Sequence, residues 1–331
     1  RAVSSVQKRF GFRQTNAPRL NFPIFGRGDW PREARKTRLF KNFNKEGGFF
    51  MDKKILMCEP KYFFKGKPHY QINDWMREKQ PIDYQLAGRQ WQNLYETYLC
   101  LRIKINLIEP KISLPDMCFT ANCGLNLKNF FILSRFRKIE RRKESFVFEK
   151  HFLKHYSDFK TIKLPKNEGM FFEGQGDIVK IDEKNLIIGY GKQRTSLTGA
   201  NFIRETAEKL EISVKPVELL ISGGKNKKSF YHLDTCLRFL PKTKTFLIYS
   251  PSFKKDDLKK LEKIGELIFL DYKEAEGLTA NIVIHQNFAI SGFLNDRIRK
   301  ILEKGGYNPI YINLSEFKKA GGGAKCLTFE F

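Results

Sequence analysis

The sequence predicts an α/β protein closed into a ring: a five-bladed, pseudo-symmetric α/β propeller whose blades are strand–strand–helix–strand units. Three observations point there. Four successive stretches repeat one order of apolar runs and polar turns, the two ends of the chain hold the pieces of a fifth copy, and each unit opens on a polar residue.

The second unit runs from Asn122-Cys-Gly-Leu-Asn-Leu through Lys128-Asn129 into Phe130-Phe-Ile-Leu-Ser, then a helix over 144–155 and a strand over 159–164. The third runs from Asp177-Ile-Val-Lys-Ile through a turn at 182–185 into Leu186-Ile-Ile-Gly-Tyr, with a helix over 199–210 and a strand over 214–220. The fourth begins at Asp234-Thr-Cys-Leu-Arg-Phe-Leu, continues in Thr245-Phe-Leu-Ile-Tyr, and predicts a helix over 255–263 and a strand over 266–270. The fifth opens on Asn281-Ile-Val-Ile, turns through His285-Gln-Asn into Phe288-Ala-Ile-Ser, and ends in a helix over 294–304 and a strand over 308–312. Short β-rich runs bounded by polar turns predict the hairpins. Spacing such as Ile298, Ile301 and Leu302 predicts the helices.

The remaining unit takes strands from both ends, Cys326-Leu-Thr-Phe-Glu-Phe and Lys54-Ile-Leu-Met-Cys, with a helix over 85–102 and a strand over 103–108. A ring closed in this way leaves no terminal repeat in need of a cap. The competing architecture is two ordinary α/β domains. Residues 1–50 stand apart, with 12 Lys or Arg against 3 Asp or Glu and little periodicity. They read as a basic arm, disordered or foreign to the native protein, and residues 51–331 as a single catalytic domain. The composition of the arm suits a transit peptide but lacks the helical apolar face; alternatively, the codons for Lys45 to Phe50 can spell a ribosome-binding sequence and spacer, making Met51 the start.

A chain of 331 residues with 41% hydrophobic content can bury a large core, and no apolar run approaches the roughly 18 residues of a membrane span. The net charge of +25 invites an anionic partner. The cations are scattered, however, with no alternation of base and aromatic, so neither nucleic acid nor membrane is expected as a partner. Six cysteines without a Cys-x-x-Cys pair suit a reducing cytoplasm. His151 and His155 lie at i, i+4 but lack the Glu of a His-Glu-x-x-His site, which leaves an exposed helical face as the reading and no metal. Gly321 to Gly323 and Ser222-Gly-Gly-Lys lack the following Gly-Lys-Ser/Thr of a phosphate loop.

In a ring, the unit heads Asn122, Asp177, Asp234 and Asn281 face one channel, and Glu173, His232, Asp234 and Cys326 gather at one end of it. On residue chemistry alone Cys326 is either a nucleophile or a small buried hydrophobe, as Cys58, Cys118, Cys123 and Cys236 are expected to be. His232 is either a proton shuttle or a satisfied core histidine, and Asp177 is assigned to a strand turn.

Five segments sharpen the choice: Pro115-Asp-Met-Cys-Phe-Thr-Ala-Asn122-Cys-Gly, Ser134-Arg135-Phe, Phe172-Glu173-Gly-Gln-Gly-Asp177, His232-Leu-Asp234-Thr and Lys319-Ala-Gly-Gly-Gly-Ala-Lys-Cys326-Leu-Thr. In this order they resemble the guanidino-group-modifying superfamily of arginine deiminases, dimethylarginine dimethylaminohydrolases, arginine dihydrolases and amidinotransferases, over essentially all of 51–331. The resemblance implies the five-bladed pentein fold. It also implies a Cys326 thiolate that attacks the guanidinium carbon, and His232 as the acid and base for the leaving amine and the incoming water. A basic channel and a cationic substrate are both expected to favour the thiolate. The resemblance further implies that Glu173 holds the imidazole and that Asp234, with Asp116, pairs with the guanidinium N–H groups. Arg135 and Arg194 correspond to the pair that grips the substrate's α-carboxylate.

Asn122 stands where many deiminases carry an aspartate. Together with Met57-Cys-Glu-Pro and Ile72-Asn73-Asp-Trp-Met, this resembles the arginine dihydrolase branch, in which the asparagines matching Asn73 and Asn122 contact substrate. An amide there weakens selection for a cation and allows a neutral ureido intermediate to be attacked again. The expected activity is therefore hydrolysis of arginine, through to ornithine, ammonia and carbon dioxide. A methylarginine hydrolase or amidinotransferase is the second reading, and a basic binding scaffold the reading outside enzymes. The expected partner is a small guanidino substrate, without cofactor; homo-oligomer formation is left open.

Overall fold

A computed structural model describes residues 54–64, 70–76, 80–221 and 228–331. The expectations for residues 1–50, for Met51 and for Ser222-Gly-Gly-Lys fall outside them. The chain runs β1 (Lys54–Cys58), α1 (Tyr84–Cys100), β2 (Lys104–Ile108), β3 (Gly124–Leu127), β4 (Phe130–Leu133), α2 (Arg142–His155) and β5 (Lys160–Lys163). It continues with β6 (Ile178–Lys180), β7 (Asn185–Gly191), α3 (Leu197–Glu208), β8 (Ser213–Leu219), β9 (Leu237–Leu240), β10 (Thr245–Ile248), α4 (Lys255–Glu262) and β11 (Glu266–Phe269). Last come α5 (Tyr272–Glu276), β12 (Val283–His285), β13 (Phe288–Ser291), α6 (Asp296–Lys304), β14 (Asn308–Tyr311), α7 (Ser315–Lys318) and β15 (Phe329–Glu330).

These strands make five three-stranded sheets, each with one antiparallel and one parallel pair: β3-β4-β5, β6-β7-β8, β9-β10-β11, β12-β13-β14 and β15-β1-β2. The last unites the two ends, with Ile55 opposite Glu330 and opposite Ile105 on the other side. A hydrogen bond repeats at the outer end of the other four sheets. A carbonyl of each hairpin turn, from Asn129, Lys184, Lys244 and Asn287, accepts the N–H that opens the third strand, from Lys160, Ser213, Glu266 and Asn308. Three of these hairpins place a non-glycine residue in the left-handed region, Lys128 at φ 51°, Lys244 at 52° and Gln286 at 53°; in the first and last it gives the twist a two-residue turn requires.

Side-chain alternation along the strands packs neighbouring sheets together through shared cores. Ile178, Leu186 and Ile188 bury against Leu125 and Ile132 on one side, while Val179 and Ile187 bury against Leu237 and Phe239 on the other. Leu240 and Leu247 meet Ile282 and Ala289, and Leu56 and Phe329 meet Phe131 and Leu133. The helices cover the sheets with apolar faces set by their caps: the Asp83 carboxylate accepts from Leu86 N–H at the start of α1, Ser196 from Gly199 N–H at α3, and Asn295 from Ile298 N–H at α6.

Each expected helix is found within about two residues. The unit heads are not on strands, however. Asn122, Asp177 and Asp234 sit on 3₁₀ turns (Thr120–Cys123, Gly174–Asp177 and Leu233–Thr235) that precede the strands. A strand throws successive side chains to opposite faces. A tight turn instead lets a short run such as Ala121-Asn122-Cys123 be buried throughout. The short helices α5 and α7 were not expected, although α5 carries a legible capping box in which Asp271 and Glu274 cap each other's backbone N–H.

Candidate active site

Cys326 follows three glycines. Gly321 has φ of +81°, and a Cβ on it would strike Tyr231 Oη and lie 2.9 Å from Trp75 Cγ, so only glycine carries the chain under those rings. The loop delivers the thiol, 5% exposed, to 3.6 Å from Asp234 Oδ2 and 3.1 Å from Asn281 Nδ2. Burial pushes the thiol above its ordinary range, and the Asp234 charge pushes the same way. This corrects the expectation that a basic channel favours the thiolate: the charge that meets the sulfur directly is a carboxylate.

His232 lies between two carboxylates, with Nε2 3.4 Å from Glu173 Oε2 and Nδ1 3.2 Å from Asp177 Oδ2. Neither ring nitrogen is aligned for a hydrogen bond, so the attraction is between charges. Burial opposes the imidazolium, but Asp177 and Glu173 outweigh it and hold the pKa up to about 9. Burial likewise opposes the Glu173 carboxylate, and Arg194, His232 and Arg141 overcome it and hold its pKa down to about 2. Asp177 is pinned by Thr195 Oγ1 at 2.6 Å and Leu233 N–H at 3.1 Å. Its assignment to a strand turn is therefore too narrow, since the same carboxylate faces the imidazole. Asp234 is pushed up to about 6, by burial first, with His232 and Lys325 opposing.

One small cavity brings together Cys326, His232, Asp116, Asn122, Asn73 and Arg194. Asn73 Oδ1 accepts from Trp75 and Met76 N–H, and its Nδ2 donates to Ala320 O, so its carboxamide ties two cavity walls. Arg194 donates to Glu173 and Ile72 O and lies 4.7 Å over the Tyr231 ring. Its buried Nε has no partner among the described residues. Arg135 is placed elsewhere: its guanidinium donates to Pro165 O and lies 5.9 Å over Phe171.

The second arginine of the cavity is Arg141. It makes a bidentate pair with Glu144 at 3.0 and 2.8 Å, and donates to Asn122 Oδ1 at 2.9 Å and to Asp116 O at 3.2 Å. Tyr70 Oη donates to Asp116 Oδ2 at 2.8 Å, which closes the network. The sequence held a signal for it. Glu144 shares a helical stripe with Phe148 and Phe152, all fully or almost fully buried. A carboxylate on an apolar stripe demands a cation one turn away, which is Arg141. Removing that cation leaves Glu144 buried and unpaired. Arg141→Met is expected to destabilise the protein by about 3–5 kcal/mol, and the double change with Glu144→Leu to recover part of the loss. Urea unfolding of the three proteins checks this, and equal midpoints for the single and double variants would contradict it.

The family model for N,N dimethylarginine dimethylhydrolase, eukaryotic, matches residues 59–331. The chain belongs to this family. The N(G),N(G)-dimethylarginine dimethylaminohydrolase of Mycobacterium tuberculosis is 32% identical over 288 residues, covering 84% of this chain and 85% of that protein. A bifunctional arginine dihydrolase/ornithine cyclodeaminase of Nostoc is also 32% identical, over 283 residues; the alignment covers 83% of this chain but only 37% of that protein's length. The crystal structure of the N-terminal domain of a cyanobacterial arginine dihydrolase, a cysteine-to-serine mutant bound to substrate, superposes with a TM-score of 0.74 at 31% identity, covering 84% of this chain and 98% of that domain. Among the described residues no helix of this dimethylhydrolase-family chain is long and apolar enough to cross a membrane.

Proposed function

We propose that this protein hydrolyses the guanidino group of arginine through a covalent adduct on Cys326, and carries the product on to ornithine. The observation that supports it is the meeting of Cys326, His232 and Asp116 around one cavity, with the Asp234 carboxylate beside the sulfur and that of Glu173 beside the imidazole. We read the five sheets as blades of a single pseudo-symmetric pentein ring within a catalytic domain over 51–331, since neighbouring sheets share cores and one sheet takes strands from both ends. Such a ring carries residues from separate units to one centre.

A cationic guanidinium entering beside Asp234 replaces the repulsion on the sulfur with attraction, and the thiol proton leaves to solvent. The Cys326 thiolate attacks the guanidinium carbon, a carbon–sulfur bond forms, the carbon–nitrogen bond to the leaving amine breaks, and His232 supplies the proton that amine takes away. Water then adds to the carbon of the adduct, His232 takes its proton, and the carbon–sulfur pair returns to sulfur. An imidazolium held to about pH 9 suits the first proton transfer. Asp234 orients the guanidinium, Glu173 keeps the imidazole in place, and Asp116 with Asn122 completes the polar wall. Arg194 and Arg141 stand where an α-carboxylate fits; Arg141 takes the part expected of Arg135.

Identity is the same to the named dimethylarginine hydrolase and to the named arginine dihydrolase, so the branch rests on Asn122. Its neutral amide lets a ureido group stay and be attacked a second time. Incubation with arginine, methylarginines, citrulline, and arginine plus glycine, followed by mass analysis, tests this. Ornithine from arginine is the expected result; citrulline and methylamine from methylarginine, with arginine untouched, would sink it. The second reading is a methylarginine hydrolase, supported by the family match itself.

A further inference from the structure

The sulfur of Cys326 sits where ionisation is opposed, yet the proposed reaction needs a thiolate. The charged or titratable groups near it are Asp234, His232, Tyr231 and Lys325, with Asp116, Arg141 and Arg194 around the same cavity. Neither imidazole nitrogen of His232 has a hydrogen-bond partner among the described residues. One neutral side chain does aim a donor at the sulfur. Asn281, fully buried, holds Nδ2 at 3.1 Å from Cys326 Sγ.

The direction of that amide is fixed by its other contacts. Oδ1 accepts the Cys326 N–H at 3.1 Å, and Nδ2 also donates to Asp234 O at 3.2 Å. A flipped amide would set donor against donor at Cys326 and acceptor against acceptor at Asp234, so the NH₂ group faces the sulfur. The approach depends on Gly323, where a Cβ would stand 2.8 Å from Asn281 Oδ1. The three glycines before Cys326 therefore serve the amide as well as the turn.

We propose that Asn281 is a catalytic residue whose Nδ2–H donates to the Cys326 sulfur, stabilising the thiolate before attack and again when the carbon–sulfur bond of the adduct breaks. This rests on the reading of Cys326 as the nucleophile. As the carbon–sulfur bond forms, negative charge leaves the sulfur and the hydrogen bond weakens. When water's oxygen has bonded to the carbon and the electron pair returns to sulfur, the bond strengthens again. A hydrogen bond to an anion is roughly twice as strong as one between neutral groups, so the donor favours thiolate over thiol.

The test is the pH dependence of iodoacetamide alkylation at Cys326 in the full chain, followed by peptide mass spectrometry with the other five cysteines as internal controls. Asn281→Asp keeps the shape and the acceptor for Cys326 N–H but loses the donor. Asn281→Leu loses the donor without adding charge, and Asn281→Ala replaces it if the leucine variant does not fold. Both the acidic and the neutral variant are expected to move the alkylation midpoint up by at least about one pH unit and to lower kcat at least about tenfold. A purely positional role predicts an aspartate variant like the wild type. Superposed alkylation profiles for wild type and Asn281→Asp, or for wild type and the neutral variant, would overturn the proposal. If Cys326 is not the nucleophile, the wild type forms no adduct with any guanidino substrate, whereas the alkylation profiles still report the amide's effect on the sulfur.

Discussion

Cys326→Ser is expected to lose turnover by about 10⁴-fold or more while its melting temperature stays within about 2 °C of the wild type. The two halves of this result have separate causes. Oxygen is the smaller atom, and a serine hydroxyl can still donate to Asp234 and accept from Asn281, the partners the thiol has at 3.6 and 3.1 Å. The packing of a 5% exposed side chain on a glycine-bounded loop is therefore kept. The chemistry is not. A hydroxyl ionises far less readily than a thiol, and the group it can donate to, the Asp234 carboxylate, is too weak a base to take an alcohol's proton and is engaged by the guanidinium once substrate enters, unlike a serine hydrolase, where a histidine touches the nucleophile. Bringing in a cationic substrate helps a thiol reach its anion; it does not bring an alcohol near neutrality. Steady-state product analysis alongside thermal unfolding gives both readings. Activity within tenfold of the wild type would remove Cys326 from the mechanism, and a large fall in melting temperature would recast it as a packing residue.

The repeated strand–strand–helix–strand unit was legible in the sequence because it is written in strand chemistry. Runs such as Leu186-Ile-Ile and Phe246-Leu-Ile are β-rich, the turns between them are polar, and α6 shows its apolar stripe at Ile298 and Leu302. What escaped was structure that carries no period. Asn122, Asp177 and Asp234 occupy single 3₁₀ turns, which are too short to leave a pattern. Sequence reasoning picked out Cys326, His232, Glu173 and Asp234, which the structure brings together, through their motifs and not through residue chemistry, which left Cys326 and His232 open. It failed at the arginines, because Arg135, Arg137, Arg141 and Arg142 crowd one segment and sequence distance does not say which one turns inward. Arg137 illustrates the difficulty. It approaches the site through its backbone, whose N–H donates to Glu173 Oε1 at 3.1 Å, while its side chain serves Arg194 O at 2.9 Å. The buried partner Glu144, not any property of the arginines, decides for Arg141.

Asp234→Asn is expected to lower kcat/KM by about 10³-fold and at the same time to make the protein more stable near pH 7. Asp234 is buried, and its carboxylate oxygens have only the Cys326 thiol as a hydrogen-bond donor among the contacts described, so its charge is carried without a full partner until a cation arrives. Burial raises its pKa in the folded protein to about 6 from 3.8. The sign of the linkage follows. The folded state holds the proton more tightly than the unfolded state, so the penalty on the charged form is absent below about pH 4, grows as the pH rises, and is fully present above about 6. That difference corresponds to roughly 3 kcal/mol at neutral pH, as an upper bound. The asparagine has no charge to bury. Its melting temperature should exceed that of the wild type by several degrees at pH 7, and the two curves should converge at pH 4. Activity moves the other way, because a neutral amide cannot offer the guanidinium a charged bidentate pair or draw it beside the sulfur. Thermal unfolding from pH 4 to 8, with kcat/KM measured over the same range, reads both effects. A variant less stable at every pH would mean that the carboxylate already has its partner in the free protein, and that the cavity is not strained in favour of a cation.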